Sequence, residues 1–155
     1  MLFYQSSRYD RYTKVAQDLI KSGKAIMKDG AVCLNPTFNI ASWNDSIAGD
    51  IKIADDKFDV IKNLILLRSD GTPTYHFASV IDDIDFDINW IIRGTDHLDN
   101  TSKHVYIYDA IGAKLPQFSH VGLIFYQGKK ISKRDGVASM DSYQDVHPSA
   151  ILNSV

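Results

Sequence analysis

Two lysines flanking a small hydroxyl residue in a polar stretch, Lys130-Ile131-Ser132-Lys133-Arg134, are the residues of this chain best suited to chemistry on an anion. An ammonium on a flexible stem can follow a phosphate, and a serine hydroxyl with loop N–H groups adds hydrogen bonds, so such a loop can wrap a nucleotide triphosphate. A short Lys/Arg run is by itself usually a solvated turn. What it means depends on the elements that present it.

The segment before the loop reads as strand, helix, strand. Ile88 to Arg93 is strand-like, Asn100 or Thr101 can cap a helix through Val105, Ile107, Tyr108 and Ile111 to Gly112, and Ser119 to Tyr126 is again strand-like. A crossover of that length requires the two strands to be parallel. The turn Gln127-Gly128-Lys129 then leads into the lysines, and Pro148 can open a last helix through Ile151 and Leu152. Further upstream, Tyr9, Tyr12, Val15, Ala16, Leu19 and Ile20 recur at helical spacing before a stop at Gly23. Ala25 to Phe58 reads as short strands and turns, and Ile61 to Leu67 as one buried strand. Tyr75 to Ile81 leans to helix, with the acidic run Asp82-Asp83-Ile84-Asp85-Phe86-Asp87 read as loop.

A chain of 155 residues with 45% apolar content has the material for one compact domain. A net charge of −2 supplies no general attraction for nucleic acid, so any such contact must be local. The lone Cys33 excludes an internal disulfide or a cysteine-rich zinc site and fits a reducing compartment. No run approaches membrane-spanning length and no leader pattern is present, so a cytoplasmic, non-membrane protein is expected.

Several ordered blocks resemble the glutamyl-tRNA synthetases: Arg68-Ser69-Asp70-Gly71-Thr72-Pro73-Thr74-Tyr75-His76-Phe77, Asp82-Asp83, Ile92-Arg93-Gly94-Thr95-Asp96-His97-Leu98, and the lysine loop itself. Tyr4 to Tyr12 and His147 to Asn153 also look like family segments, and the likeness is weak between residues 25 and 60. The resemblance implies an α/β fold: a partial Rossmann-like parallel sheet with flanking helices, plus a small β/helical remnant of the acceptor-stem insertion. Within a single domain spanning 1–155, residues 1–60 would be that remnant, 61–126 the second half of the nucleotide fold, and 127–155 the KMSKS-type loop with its following helix. The reaction implied is formation of an aminoacyl-adenylate from ATP, bound with Mg, followed by transfer to tRNA. Zinc is not expected, nor any other metal site.

By that resemblance Lys130, Ser132 and Lys133 are the catalytic candidates. Lys130 and Lys133 would neutralise charge moving to the pyrophosphate. Leu123 and Ile124 would hold the adenine, and Arg134 would join Lys130 and Lys133 around ATP. Tyr75, Ser79, Arg93, Asp96 and His97 fall at amino-acid-binding positions, and a planar guanidinium such as Arg93 suits a carboxylate. Read locally, Tyr75 is as readily a core aromatic and Arg93 a strand-end ion pair. Thr95 stands where the family commonly has an acid, which leaves that position's duty near the nucleotide without its charge. His120-Val121-Gly122-Leu123 imitates the start of the family's His-x-Gly-His signature but ends in Leu123, so His120 is expected to be structural.

The resemblance also implies that the His-x-Gly-His half and the anticodon-reading domain are missing and the acceptor-stem insertion shortened. A truncated protein unable to aminoacylate alone is therefore expected, with one edge and one flank of its parallel sheet uncovered. Two further readings are kept: half of a split enzyme completed by a complementary N-terminal partner or by self-association over that edge, and a repurposed module binding the tRNA acceptor end or a protein. Arg8, Arg11, Lys14, Lys21 and Lys24 would form the module's contact face.

Overall fold

A computed structural model describes residues 3–36, 40, 42–54, 56–123, 125–126 and 129–130. After a 3-10 turn at Gln5–Arg8, helix α1 (Tyr9–Lys21) buries Tyr12, Val15, Ala16 and Leu19 along one stripe, the spacing of a single helix face. Strands β1 (Ala25–Lys28) and β2 (Ala31–Leu34) form an antiparallel hairpin, and β3 (Ser42–Asp45) and β4 (Gly49–Lys52) form another.

The run from Ile61 to Leu67 is not one strand. Ile61 and Lys62 close helix α2 (Asp56–Lys62), where the Asn63 side-chain amide donates to the Asp59 carbonyl, and only β5 (Ile65–Leu67) is extended. β5 pairs antiparallel with β2, giving the order β1-β2-β5. An apolar run carries no periodicity that separates a buried helix end from a buried strand.

Helix α3 (Tyr75–Asp85) includes the acidic run expected to be loop. The correction has a tertiary cause. Arg8 and Arg11 of the N-terminal segment pair with Asp85, Arg8 Nε lies 2.9 Å from Asp82 Oδ1, and the Tyr12 hydroxyl donates to Asp82 at 2.8 Å. Charges that would repel along an isolated helix end are neutralised from α1.

Strand β6 (Trp90–Gly94), a 3-10 turn at Thr95–His97, helix α4 (Leu98–Ile111) and strand β7 (Gln117–Val121) form the crossover unit. β6 and β7 are parallel, in register from Trp90↔Gln117 to Gly94↔Val121. The helix begins earlier than either expected cap, because the 3-10 turn runs straight into it. Gly112 ends it at φ +76°, with the Ala113 N–H on the Tyr108 carbonyl at 3.0 Å, a left-handed closure that turns the chain back toward β7. The second strand is shorter than expected: it stops at Val121, and Phe125–Tyr126 (β8) pairs antiparallel with Lys129–Lys130 (β9).

The core runs through both halves of the chain, with Tyr12, Leu34, Leu66, Phe77, Ile81, Tyr106 and Ile107 in one cluster. Along β6 and β7 the side chains alternate between faces. Ile91, Arg93, Phe118 and His120 share the inner face. Trp90, Ile92, Ser119 and Val121 occupy the other, where Ser119 is buried beneath the Trp90 indole and Ser46 while Ile92 is 65% exposed and Trp90 52%. The parallel sheet has two strands among the described residues, so the outer edge of β6 is unpaired there.

Candidate active site

In open α/β sheets, ligands lie beyond the carboxyl ends of parallel strands. Here that end is formed by Arg93 and Gly94 of β6, the turn Thr95–His97, and Leu123 just after β7. Gly94 is needed for close approach. A Cβ there would lie 2.5 Å from Asp96 Oδ1 and 2.9 Å from Leu123 Cδ2, so the glycine lets the amino-acid-side and adenine-side candidates meet.

Arg93 sits on a polar layer buried beneath this end. Its Nη2 donates to Thr101 Oγ1 at 2.6 Å and its Nε to His120 Nε2 at 3.3 Å. The Thr101 hydroxyl also stands 2.9 Å from His120 Nε2 and 3.2 Å from the His97 carbonyl, tying the turn and β7 to α4. On the far side of the imidazole, His120 Nδ1 is 2.7 Å from Asp45 Oδ2, with both side chains fully buried. Asp45 Oδ1 accepts the N–H groups of Ala48, Ile47 and His120. Burial alone would raise the Asp45 carboxyl, but those donors and the imidazole prevail and hold it at about 2. Trp43 closes the layer, its ring 5.6 Å from His120 and its indole N–H on Ser102 at 3.2 Å. Among the described residues no carboxylate lies within ion-pair distance of Arg93. The alternative reading of Arg93 as a strand-end ion pair therefore finds no partner among the described residues.

A second group packs where α3 meets α4. His76 Nδ1 and His104 Nε2 are 3.1 Å apart, and Tyr75 places its ring 5.3 Å from His76 and 5.9 Å from His104. Burial, then Lys103 and Arg93, lowers His76 to about 4; burial, then Arg93, lowers His104 to about 3. Both rings are neutral at physiological pH. Asp83, half-buried on α3, is pushed up to about 6 by burial and by Asp82, with Arg93 opposing. The buried His104 Nδ1 and Tyr108 hydroxyl have no hydrogen-bond partner among the described residues, and both groups feel the charge of Arg93.

The structure thus brings Arg93, Asp96, His97 and Leu123 to one end of the crossover unit. Tyr75 opens α3 and is 52% exposed, while Ser79 is half-buried on the same helix; neither hydrogen-bonds Arg93. His97 Nδ1 pairs with the Asn100 amide at 3.0 Å. The Lys130 backbone lies in β9, and Ile124, Ser132, Lys133 and Arg134 fall outside the described residues. His120 is structural in the sense of being fully buried, yet it contacts Arg93. Asp45 and Thr101 were not legible as parts of this layer. Asp45 preceding Ser46-Ile47-Ala48-Gly49 signals only a turn, and Thr101 signals only a cap.

A parallel strand–helix–strand unit with its polar residues at the carboxyl ends defines a nucleotide-fold protein, and known structures narrow it to the class I synthetase catalytic fold. A glutamate tRNA ligase from Elizabethkingia meningosepticum, solved in complex with its amino acid, superposes with TM-score 0.70 over 93% of this chain and 38% of its own, at 22% identity. The glutamate-tRNA synthetase of Elizabethkingia anophelis matches with TM-score 0.64 over 90% and 38%, at 26% identity. The chain belongs to the class I tRNA synthetases of the E and Q type, whose catalytic-domain profile matches residues 33–155. Glutamate–tRNA ligases from Francisella tularensis subsp. novicida and Legionella pneumophila are each 36% identical, over 98% and 97% of this chain and 41% and 40% of their own length. The chain therefore spans about two fifths of these relatives. The novicida alignment runs over 194 residues, longer than the chain, so the relative carries residues inside the matched span that this chain lacks. No helix among the described residues is long and apolar enough to cross a membrane, and no group of three His, Cys, Asp or Glu there could hold a metal ion.

Proposed function

We propose that this polypeptide forms the rear portion of a glutamyl-adenylate site and does not aminoacylate tRNA unaided. Arg93 takes a carboxylate of the amino acid, with Tyr75, Ser79, Asp96 and His97 around it. Leu123 and Ile124 lie along the adenine, and Lys130, Ser132, Lys133 and Arg134 attend the phosphates of Mg-bound ATP in the cytoplasm. The observation that carries this reading is a guanidinium held at the carboxyl end of β6 with no acidic partner within ion-pair distance among the described residues. An arginine so placed can accept a ligand carboxylate without first breaking an ion pair.

Synthetase chemistry stabilises charge with donors on both sides of the phosphate, and losing one such donor typically costs about 2.7–4 kcal/mol. The open flank bearing Trp90, Ile92 and Val121 and the unpaired β6 edge favour a second reading, in which a complementary polypeptide docks there and restores activity. Pyrophosphate exchange separates the two: the 155-residue chain with glutamate, ATP and tRNA is expected to show none. Exchange by the chain alone overturns the first reading; exchange that appears only with an added N-terminal synthetase fragment selects the second. The repurposed tRNA-binding module loses two residues of its contact face, since Arg8 and Arg11 are paired with Asp82 and Asp85.

A further inference from the structure

We propose that Asp45 and His120 are positioning residues for Arg93: the buried Asp45 carboxylate fixes the imidazole tautomer, and that tautomer presents Nε2 as the acceptor that aims the guanidinium. This inference rests on the reading of Arg93 as a carboxylate-binding residue and extends it to a strand remote in sequence. The geometry dictates the proton's place. Asp45 Oδ2 can only accept, so at 2.7 Å His120 Nδ1 carries the hydrogen. Nε2 is then a lone pair, faced by the Thr101 hydroxyl at 2.9 Å and by Arg93 Nε–H at 3.3 Å. Thr101 supplies a second anchor, its oxygen accepting from Nη2 at 2.6 Å. Two anchors on different guanidinium nitrogens restrict both rotation about the Arg93 stem and the tilt of its plane, leaving Nη1 without a hydrogen-bond partner among the described residues and the fork oriented. None of Asp45, Thr101 and His120 is accessible to ligand, each being at most 1% exposed, so they act through Arg93 and not on substrate.

The layer also explains why β3 packs on β7. The Ser46 N–H donates to the Phe118 carbonyl at 2.8 Å, and the Ser46 and Ser119 hydroxyls are hydrogen-bonded, which seats Asp45 opposite His120. A hairpin that follows β2 and precedes α2 in sequence is thereby coupled to the end of the parallel sheet.

Asp45→Asn tests this with little change of shape. The amide oxygen keeps the backbone N–H bonds while its NH2 faces the ring, so Nδ1 must accept and Nε2 gains the proton; Nε2–H then turns to the Thr101 oxygen 2.9 Å away, in competition with Arg93 Nη2, and Arg93 Nε–H loses its acceptor. In the full 155-residue chain, long-range proton–nitrogen spectra of His120 are expected to switch from the Nδ1–H to the Nε2–H form. The Arg93 Nε–H resonance is expected to lose its protection, and L-glutamate affinity by calorimetry to fall about ten-fold. His120→Gln, which keeps an acceptor near the Nε2 position, is expected to retain the Arg93 resonance, and His120→Asn to lose it; this pair decides the matter if Asp45→Asn does not fold. A protected Arg93 Nε–H in both Asp45→Asn and His120→Asn overturns the proposal whatever happens to glutamate. Loss of that resonance without any glutamate binding by the unaltered chain upholds the positioning role and removes the carboxylate reading of Arg93 instead.

Discussion

Arginine is used in two opposite ways in this molecule. At the α1–α3 contact, Arg8 and Arg11 meet the carboxylates of Asp82 and Asp85 near the surface, and Arg11 is 42% exposed. Beneath the sheet end, Arg93 meets an imidazole and a hydroxyl, both buried, while the nearest acid of the layer, Asp45, is held on the other side of the ring. The first assembly is neutralised and therefore serves to join two helices. The second is anchored with no acid within ion-pair distance among the described residues, which is why we propose that it receives an anion. The partner's chemistry, not the arginine, decides which it becomes.

The sharpest way to break this contrast is to remove the buried acid. Asp45→Ala leaves His120 and three N–H donors without their acceptor, and a loss of about 3–5 kcal/mol is expected in urea unfolding. A loss under about 1 kcal/mol would mean that the layer is wet or loosely held. Acid sharpens it next. Asp45 is depressed to about 2 from 3.8, so its contribution, about 2 kcal/mol by linkage, is present above pH 4 and disappears as pH falls through 2. His76 and His104 are also depressed, from 6.5 to about 4 and 3, so their neutral packing stabilises above pH 6.5 and is lost as pH drops toward those values. The urea midpoint should therefore fall steadily below pH 6.5.

Asp83 runs the other way. Its pKa is raised to about 6, so its contribution is full below 3.8 and is lost as pH rises through 6. Asp83→Asn should abolish that decline and increase stability at pH 7 by about 1 kcal/mol or less, measured as the difference between unfolding curves at pH 5 and 7.

The α1–α3 pairs should matter less than the buried layer. Arg11→Ala is expected to cost about 0.2–1 kcal/mol and its effect to shrink at 0.5 M salt, in contrast to Asp45→Ala, whose effect salt should leave alone. Smallest of all is the open flank. Ile92→Ser should change the stability of the isolated chain by no more than about 0.5 kcal/mol, because the side chain is 65% exposed. If a docked N-terminal fragment restores exchange, the same substitution should weaken that docking, which would show that the flank is an interface.

Much of the framework was legible before any coordinates. The stripe Tyr12, Val15, Ala16, Leu19 announced α1, and strand, helix and strand from Ile88 to Tyr126 announced a parallel pair, since a crossover of that length joins parallel strands, though the second strand ends at Val121. The failures have physical reasons. The acidic end of α3 looked like loop because its neutralising arginines lie more than 70 residues earlier in the chain, at Arg8 and Arg11. Ile61 to Leu67 looked uniform because an apolar run reports burial and not conformation. At the site, Arg93 stood out by its place in a recognisable block, whereas Asp45 carried only a turn signal and Thr101 only a capping signal.

The amino-acid sequence alone determined the helical stripes, the parallel crossover and the family to which the chain belongs, because these depend on periodicity and on the order of local motifs. Tertiary structure alone decided that Asp45, Thr101 and His120 converge on Arg93, and that Arg8 and Arg11 are consumed in joining α1 to α3. Hydrogen bonds of this kind depend on distance and direction between groups as much as 77 residues apart, and no local pattern encodes either.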